Sequence, residues 1–169
     1  MKRIIRNISY LLLAFALLPV LSGCDNEDDV IEIFTGKTWK LSRLTTEGSS
    51  APFYSGLWSS DEAMNASLKA FDVAANFTLV FQGSELDGQL LGTKFNAQGI
   101  KESLEGTWNI DGKSLTFSEM KTDGSENDPL GKAFINGLQN VYKYEGDTNS
   151  LTLYFKDGQS TKVMGFKPQ

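Results

Sequence analysis

The stretch Gly106-Thr107-Trp108-Asn109-Ile110-Asp111-Gly112-Lys113-Ser114-Leu115-Thr116-Phe117 (GTWNIDGKSLTF) decides the fold class of this chain. Apolar and polar residues alternate on both sides of an Asp-Gly pair, and alternation with period two marks a strand with one buried face. A two-residue Asp111-Gly112 loop suits a hairpin because both of its positions accept positive φ, and it would set Trp108 opposite Leu115.

The same grammar extends outward in both directions. Lys37–Leu44 follows Gly36 and puts Trp39 and Leu41 on one face, while Phe77–Phe81 does so with Phe77, Leu79 and Phe81. Val141–Tyr144 and Leu151–Phe155 form a pair joined through Glu145–Ser150, and a last strand, Thr161–Phe166, returns after Asp157-Gly158. Its register stays open. A two-residue loop pairs Met164 and Phe166 with Leu151 and Leu153, whereas a three-residue loop sets Val163 against Leu153.

Two helices interrupt the strands. Ser59-x-x-Glu62 has the form of a capping box, and Met64, Leu68, Phe71 and Ala75 follow at helical spacing, which predicts a helix over Ser60–Ala75. Asp128-Pro129 reads as an N-cap with proline at the first helical position, ahead of a Leu130, Phe134, Leu138 stripe. Both stripes are read as core. The expected fold is mainly β: a small antiparallel, partly closed barrel or curled sheet covered by two short amphipathic helices.

At the N-terminus Lys2, Arg3 and Arg6 precede the uncharged apolar run Tyr10–Leu21, which is too short for the roughly 20 residues that span a bilayer and reads as a signal peptide over residues 1–23. Leu21-Ser22-Gly23-Cys24 resembles the bacterial lipobox, which implies that Cys24 is lipidated and becomes the first residue after cleavage. Cys24 is the only cysteine, so it has no partner for an intramolecular disulfide. The membrane is thus expected as a partner through a covalent lipid on Cys24. Residues 24–33 are expected to be an acidic, solvated tether, because Asp25, Glu27, Asp28 and Asp29 repel an anionic surface. The acids also resemble the export signal that sends lipoproteins to the outer face of the outer membrane in one Gram-negative phylum; a plain hydrophilic linker is the alternative, with a periplasmic location.

Residues 34–169 are expected to form a single domain. The net charge of −5 includes three positive charges of the signal, so the processed chain is more acidic still. No basic cluster remains to bind nucleic acid. Histidine is absent, which removes the commonest general base and the commonest metal ligand. No catalytic residue, cofactor or metal is assigned. Asp123-Gly124-Ser125-Glu126-Asn127-Asp128 spaces oxygens somewhat like a calcium loop, but Asp128 stands where the glycine belongs, and a turn feeding a helix cap explains the same residues.

In its order of features the segment Gly106–Phe155 resembles the second half of the META domain of small bacterial heat-shock-type lipoproteins, and Gly36–Leu44 resembles that domain's opening strand. The chain lacks the cysteine expected before the second helix and carries an insertion around Ala51–Ala75. The Gly36–Trp39 start also resembles that of lipocalin-like barrels. Either resemblance implies a family without a known function.

The segment Pro52-Phe53-Tyr54-Ser55-Gly56-Leu57-Trp58 stands out among the loops. Phe53, Tyr54 and Trp58 could form a stacking platform for a glycan or a patch for an envelope protein, or they could plug the end of the barrel. The expected function is a surface-exposed outer-membrane lipoprotein with a non-enzymatic binding or envelope-maintenance role. The alternatives are a glycan hydrolase built on a carboxylate pair and a structural subunit of a glycan-uptake assembly.

Anchoring is directly testable. Cys24→Ala should abolish partitioning into the detergent phase. Neutralising Asp25, Glu27, Asp28 and Asp29 should leave partitioning intact and remove the protein from antibody access on intact cells. Unchanged partitioning of Cys24→Ala would overturn the lipidation, and equal surface labelling would reduce the acids to a linker.

Overall fold

The computed structural model describes residues 27–169. The signal, the lipobox with Cys24, and Asp25 lie outside the described residues, and Glu27, Asp28 and Asp29 are described by backbone alone. Eight antiparallel strands follow one another around a closed barrel: β1 (Thr38–Thr46), β2 (Thr78–Leu86), β3 (Gln89–Gln98), β4 (Glu102–Asp111), β5 (Ser114–Gly124), β6 (Val141–Asp147), β7 (Ser150–Asp157) and β8 (Ser160–Pro168). β8 pairs back on β1, with Leu41 opposite Phe166, so every strand lies between its sequence neighbours and the order is up-and-down. Closure removes the free sheet edges that a curled, partly closed sheet would expose. The thinnest seam is β5 against β6, where only Ser114 and Lys143 pair.

Inward-facing positions supply the core. Trp39, Leu79, Phe81, Phe95, Trp108, Leu115, Leu153, Phe155 and Phe166 are all buried. Both buried indoles have acceptors: Trp108 Nε1 donates to the Gln82 carbonyl at 2.8 Å, and Trp39 Nε1 to that of Phe34 at 3.4 Å. Strong curvature needs close approach of strands. At Gly106, beside a register shift in β4, a Cβ would stand 2.9 Å from the Phe95 ring, so only glycine fits.

The central hairpin forms, with a corrected turn. Asp111 pairs with Ser114, so the loop is Gly112-Lys113, and Trp108 lies opposite Phe117 instead of Leu115. Gly112 alone takes a positive φ, 55°, at the first central position, the pattern of a II′ turn. The slip is two residues, so every side chain keeps its face. β7 and β8 turn in the same way at Gly158-Gln159, which pairs Leu151 with Phe166 and Leu153 with Met164, the two-residue alternative. β3 is an addition to the sequence reading. It is joined to β2 by Asp87-Gly88, where both residues have positive φ, 52° and 74°, as a I′ turn requires.

Among the described residues three helices accompany the strands, one more than expected. α1 (Glu27–Phe34) replaces most of the expected tether, because Val30, Ile31, Ile33 and Phe34 are apolar and pack on the core. α2 (Asp61–Phe71) is capped by Ser60, whose side chain accepts from Ala63 N at 3.2 Å, and it stops at Phe71 instead of Ala75. Its fully buried side chain is Ser67, while Met64, Leu68 and Phe71 are half-buried. α3 (Pro129–Gln139) has the expected Asp128 cap, and Leu130, Phe134 and Leu138 are fully buried.

The helices close opposite ends. α2, α3 and the long loop after β1 cover one end, where β1 finishes and β2 begins. α1 crosses the other end, beside the tips of the β2–β3, β4–β5 and β6–β7 hairpins. Phe34 is 0% exposed there and touches three aromatic rings: it stacks on Trp108 at 5.3 Å and meets Phe81 and Tyr144 edge-on at 4.7 and 4.9 Å.

Phe34→Ala should therefore cost about 3–5 kcal/mol. For a domain of this size that is roughly 10 °C in melting temperature. A loss below about 1 kcal/mol, in the range of surface substitutions, would show that α1 is not part of the core.

Candidate functional site

At the helical end, each aromatic side chain of the 52–58 loop meets a partner within the protein. The loop runs beside the end of β1: Leu44 N donates to the Pro52 carbonyl at 2.8 Å, and Tyr54 N to that of Leu44 at 3.0 Å. Phe53 is half-buried and lies edge-on to Trp58 and to Phe71, at 5.1 and 5.4 Å. Phe71 leads on to Phe77 and then to Phe134 of α3, so the loop joins the aromatic core. Tyr54 has the Lys162 ammonium over its ring, 3.4 Å from the centroid, and Lys162 also pairs with Asp157. The Trp58 indole donates to Ser67 Oγ at 2.8 Å, which donates to Asp128 Oδ2 at 2.7 Å. Asp128 Oδ1 meanwhile accepts from Leu130 N and Gly131 N, so one carboxylate caps α3 and holds α2 and the loop against it. This is the geometry of a plug.

The segment 123–128 organises the same end. Glu126 is only 5% exposed. Its Oε2 accepts from Ile100 N and Lys101 N in the β3–β4 turn, at 2.9 and 3.0 Å, and its Oε1 accepts from Asn127 N and Asp128 N, at 3.0 and 3.2 Å. A carboxylate used up by four backbone donors is an internal anchor, not a cation ligand. Burial pushes its pKa up, but the backbone hydrogen bonds outweigh this and hold it below the ordinary value. Gly131 is fitted to it, because a Cβ there would run into the Glu126 carboxyl. Among the described residues no three His, Cys, Asp or Glu side chains gather as a metal site, and no helix is long and apolar enough to cross a membrane.

The opposite end has a cleft of about 960 Å³ between α1 and two hairpin tips. Val30, Leu90 and Ile110 give it apolar wall, and Glu85, Gln89, Asp111 and Lys113 bring polar groups. Tyr144 lies on the floor, 8% exposed, and burial pushes its pKa up, so its hydroxyl stays protonated and can donate. None of these residues is a candidate in the sequence reading. The signals that could have found them are the Asp87-Gly88 pair ahead of Leu90 and the cluster of apolar residues within 30–34.

A closed up-and-down barrel whose two ends are covered by helices, with a cleft beside α1 at one of them, defines the class of protein. A family model described as a domain of unknown function (DUF4847) matches residues 25–168, and the chain belongs to that family. No curated protein matches the sequence. Among solved structures, the crystal structure of a DUF4847 family protein from Bacteroides vulgatus is similar, with 22% identity over 82% of this chain and 96% of that chain, at a TM-score of 0.58. At that identity the likeness speaks to the fold.

Glu126→Gln leaves some of the four backbone donors without an acceptor and should cost about 1–3 kcal/mol. Because the folded pKa is depressed, the contribution of Glu126 is complete above the ordinary value of 4.5 and fades as the pH falls through the folded value. Melting curves of the two proteins should therefore differ at neutral pH and converge in acid. A difference independent of pH would show that the charge is not what the backbone groups hold.

Proposed function

We propose that this protein is a lipid-anchored, non-enzymatic binding protein of the outer membrane, facing the cell exterior, whose ligand enters the cleft beside α1. The observation that carries the binding reading is the composition of the cleft. An apolar wall of Val30, Leu90 and Ile110 stands beside a protonated tyrosine hydroxyl, two carboxylates, two amides and an ammonium, the mixture that recognises a polar ligand with an apolar face. The Leu21–Cys24 lipobox and the acids after it support the location. The up-and-down strand order supports the lipocalin-like resemblance, since barrels of that order hold ligands at their mouths. The absence of histidine supports a role without catalysis.

One observation favours a second reading. Glu85 and Asp111 sit on facing hairpin tips and line the same cleft, as a carboxylate-dependent glycan hydrolase would require.

Both readings meet in one experiment on a glycan array and an envelope-lipid panel. Ile110→Glu puts a charge into the apolar wall and should weaken retention of any ligand bound by wild type at least tenfold, with the fold checked by circular dichroism. A Glu85→Gln, Asp111→Asn double variant should stop release of reducing sugar if the protein cleaves, whereas a protein that only binds releases none with either form. Full retention by a folded Ile110→Glu variant would move the site away from the cleft.

A further inference from the structure

The distance between the anchor and the folded domain is short. Three chain steps separate Cys24 from Glu27, the first residue of α1, and three steps of extended chain span at most about 11 Å. α1 is itself no tether, because Phe34 is fully buried at its far end and Val30 lines the cleft. A lipid on Cys24 is therefore held near one end of the barrel. The other end is a strand away, and the nine residues of β1 rise roughly 30 Å.

The anchored end also carries exposed apolar side chains. Leu86 and Leu91 lie on the outer face of the β2–β3 hairpin, where Leu86 pairs with Gln89 and Leu91 with Ser84, and they are 62% and 44% exposed. They share that face by strand parity, while Glu85 and Leu90 turn into the cleft. Leu86 and Leu91 lie together on one face of the hairpin tip, whereas the other exposed large apolar side chains among the described residues, Val73, Met120 and Tyr142, are scattered singly. Asp87 at the turn, Glu32 on α1 and Asp111 on the neighbouring tip are exposed too, and their charges must remain among headgroups or in water. That limits contact to the interfacial layer and favours zwitterionic over anionic lipid.

We infer that the α1 end of the barrel faces the bilayer and that Leu86 and Leu91 enter its interfacial layer, so the cleft opens toward membrane headgroups. The inference rests on the lipid-anchor reading of Cys24, and it adds an orientation and a second contact.

The test uses the lipidated full chain in phosphatidylcholine vesicles. With the Cys24 thiol bonded to lipid, a single new cysteine is the sole site for an environment-sensitive fluorophore. It is placed at Leu86→Cys on the hairpin tip and, for comparison, at Gln159→Cys on the exposed turn at the opposite end. Spin-labelled lipid should quench the fluorophore at position 86 several-fold and leave that at position 159 unchanged. Equal quenching at both positions, or none at 86 in a protein that floats with the vesicles, would overturn the orientation while leaving the anchor intact. A chain that does not float, and whose Cys24 still reacts with the thiol reagent, would overturn the anchor and the orientation with it.

Discussion

The burial of Phe34 is the contact on which the architecture depends. An eight-stranded barrel encloses a space only just wide enough for side chains to fill, and its two open ends must be stopped from outside the sheet. Phe34 enters from one end, between Trp108, Phe81 and Tyr144, and Phe134 of α3 enters from the other, against Phe77 and Phe166. Neither comes from a strand. The barrel core is therefore completed by side chains of α1 and α3, and α1 is part of it.

The two ends differ in how their polar groups are satisfied, and that difference locates the cleft. At the helical end, Asp128 and Glu126 between them accept from six backbone N–H groups and one serine hydroxyl. Acceptors so fully engaged have little capacity left for a ligand. At the α1 end, the hairpin tips bring Glu85, Asp111 and Lys113 to the cleft without such a network among the described residues. The two ends thus differ: a hydrogen-bonded helical cap at one, and a cleft with polar side chains beside α1 at the other.

Much of the sheet was legible because a barrel strand has one dry and one wet face. Trp39 with Leu41, Phe77 with Leu79 and Phe81, and the α3 stripe of Leu130, Phe134 and Leu138 could be read from period alone, and all are buried. β3 was hidden because its outer half reads Gln89-Leu90-Leu91-Gly92, where alternation fails at a projecting tip with little to bury. α1 was hidden by the acids next to it, which suggest solvation, although the apolar residues behind them needed only a surface to fold against. The 52–58 loop was visible as aromatic, but the partners of Phe53, Tyr54 and Trp58 are distant in sequence.

By itself the sequence determined the β class, the positions of most strands, the Asp128 cap and the residues that face inward, since each depends on neighbours within a few positions along the chain. Only the tertiary structure decided that β8 closes on β1, that the hairpins turn at Gly112-Lys113 and Gly158-Gln159, that Glu126 gathers four backbone N–H groups, and that a cleft lies beside α1. Parity along a strand is a local property, whereas closure, register and a cleft depend on contacts between segments far apart in the chain.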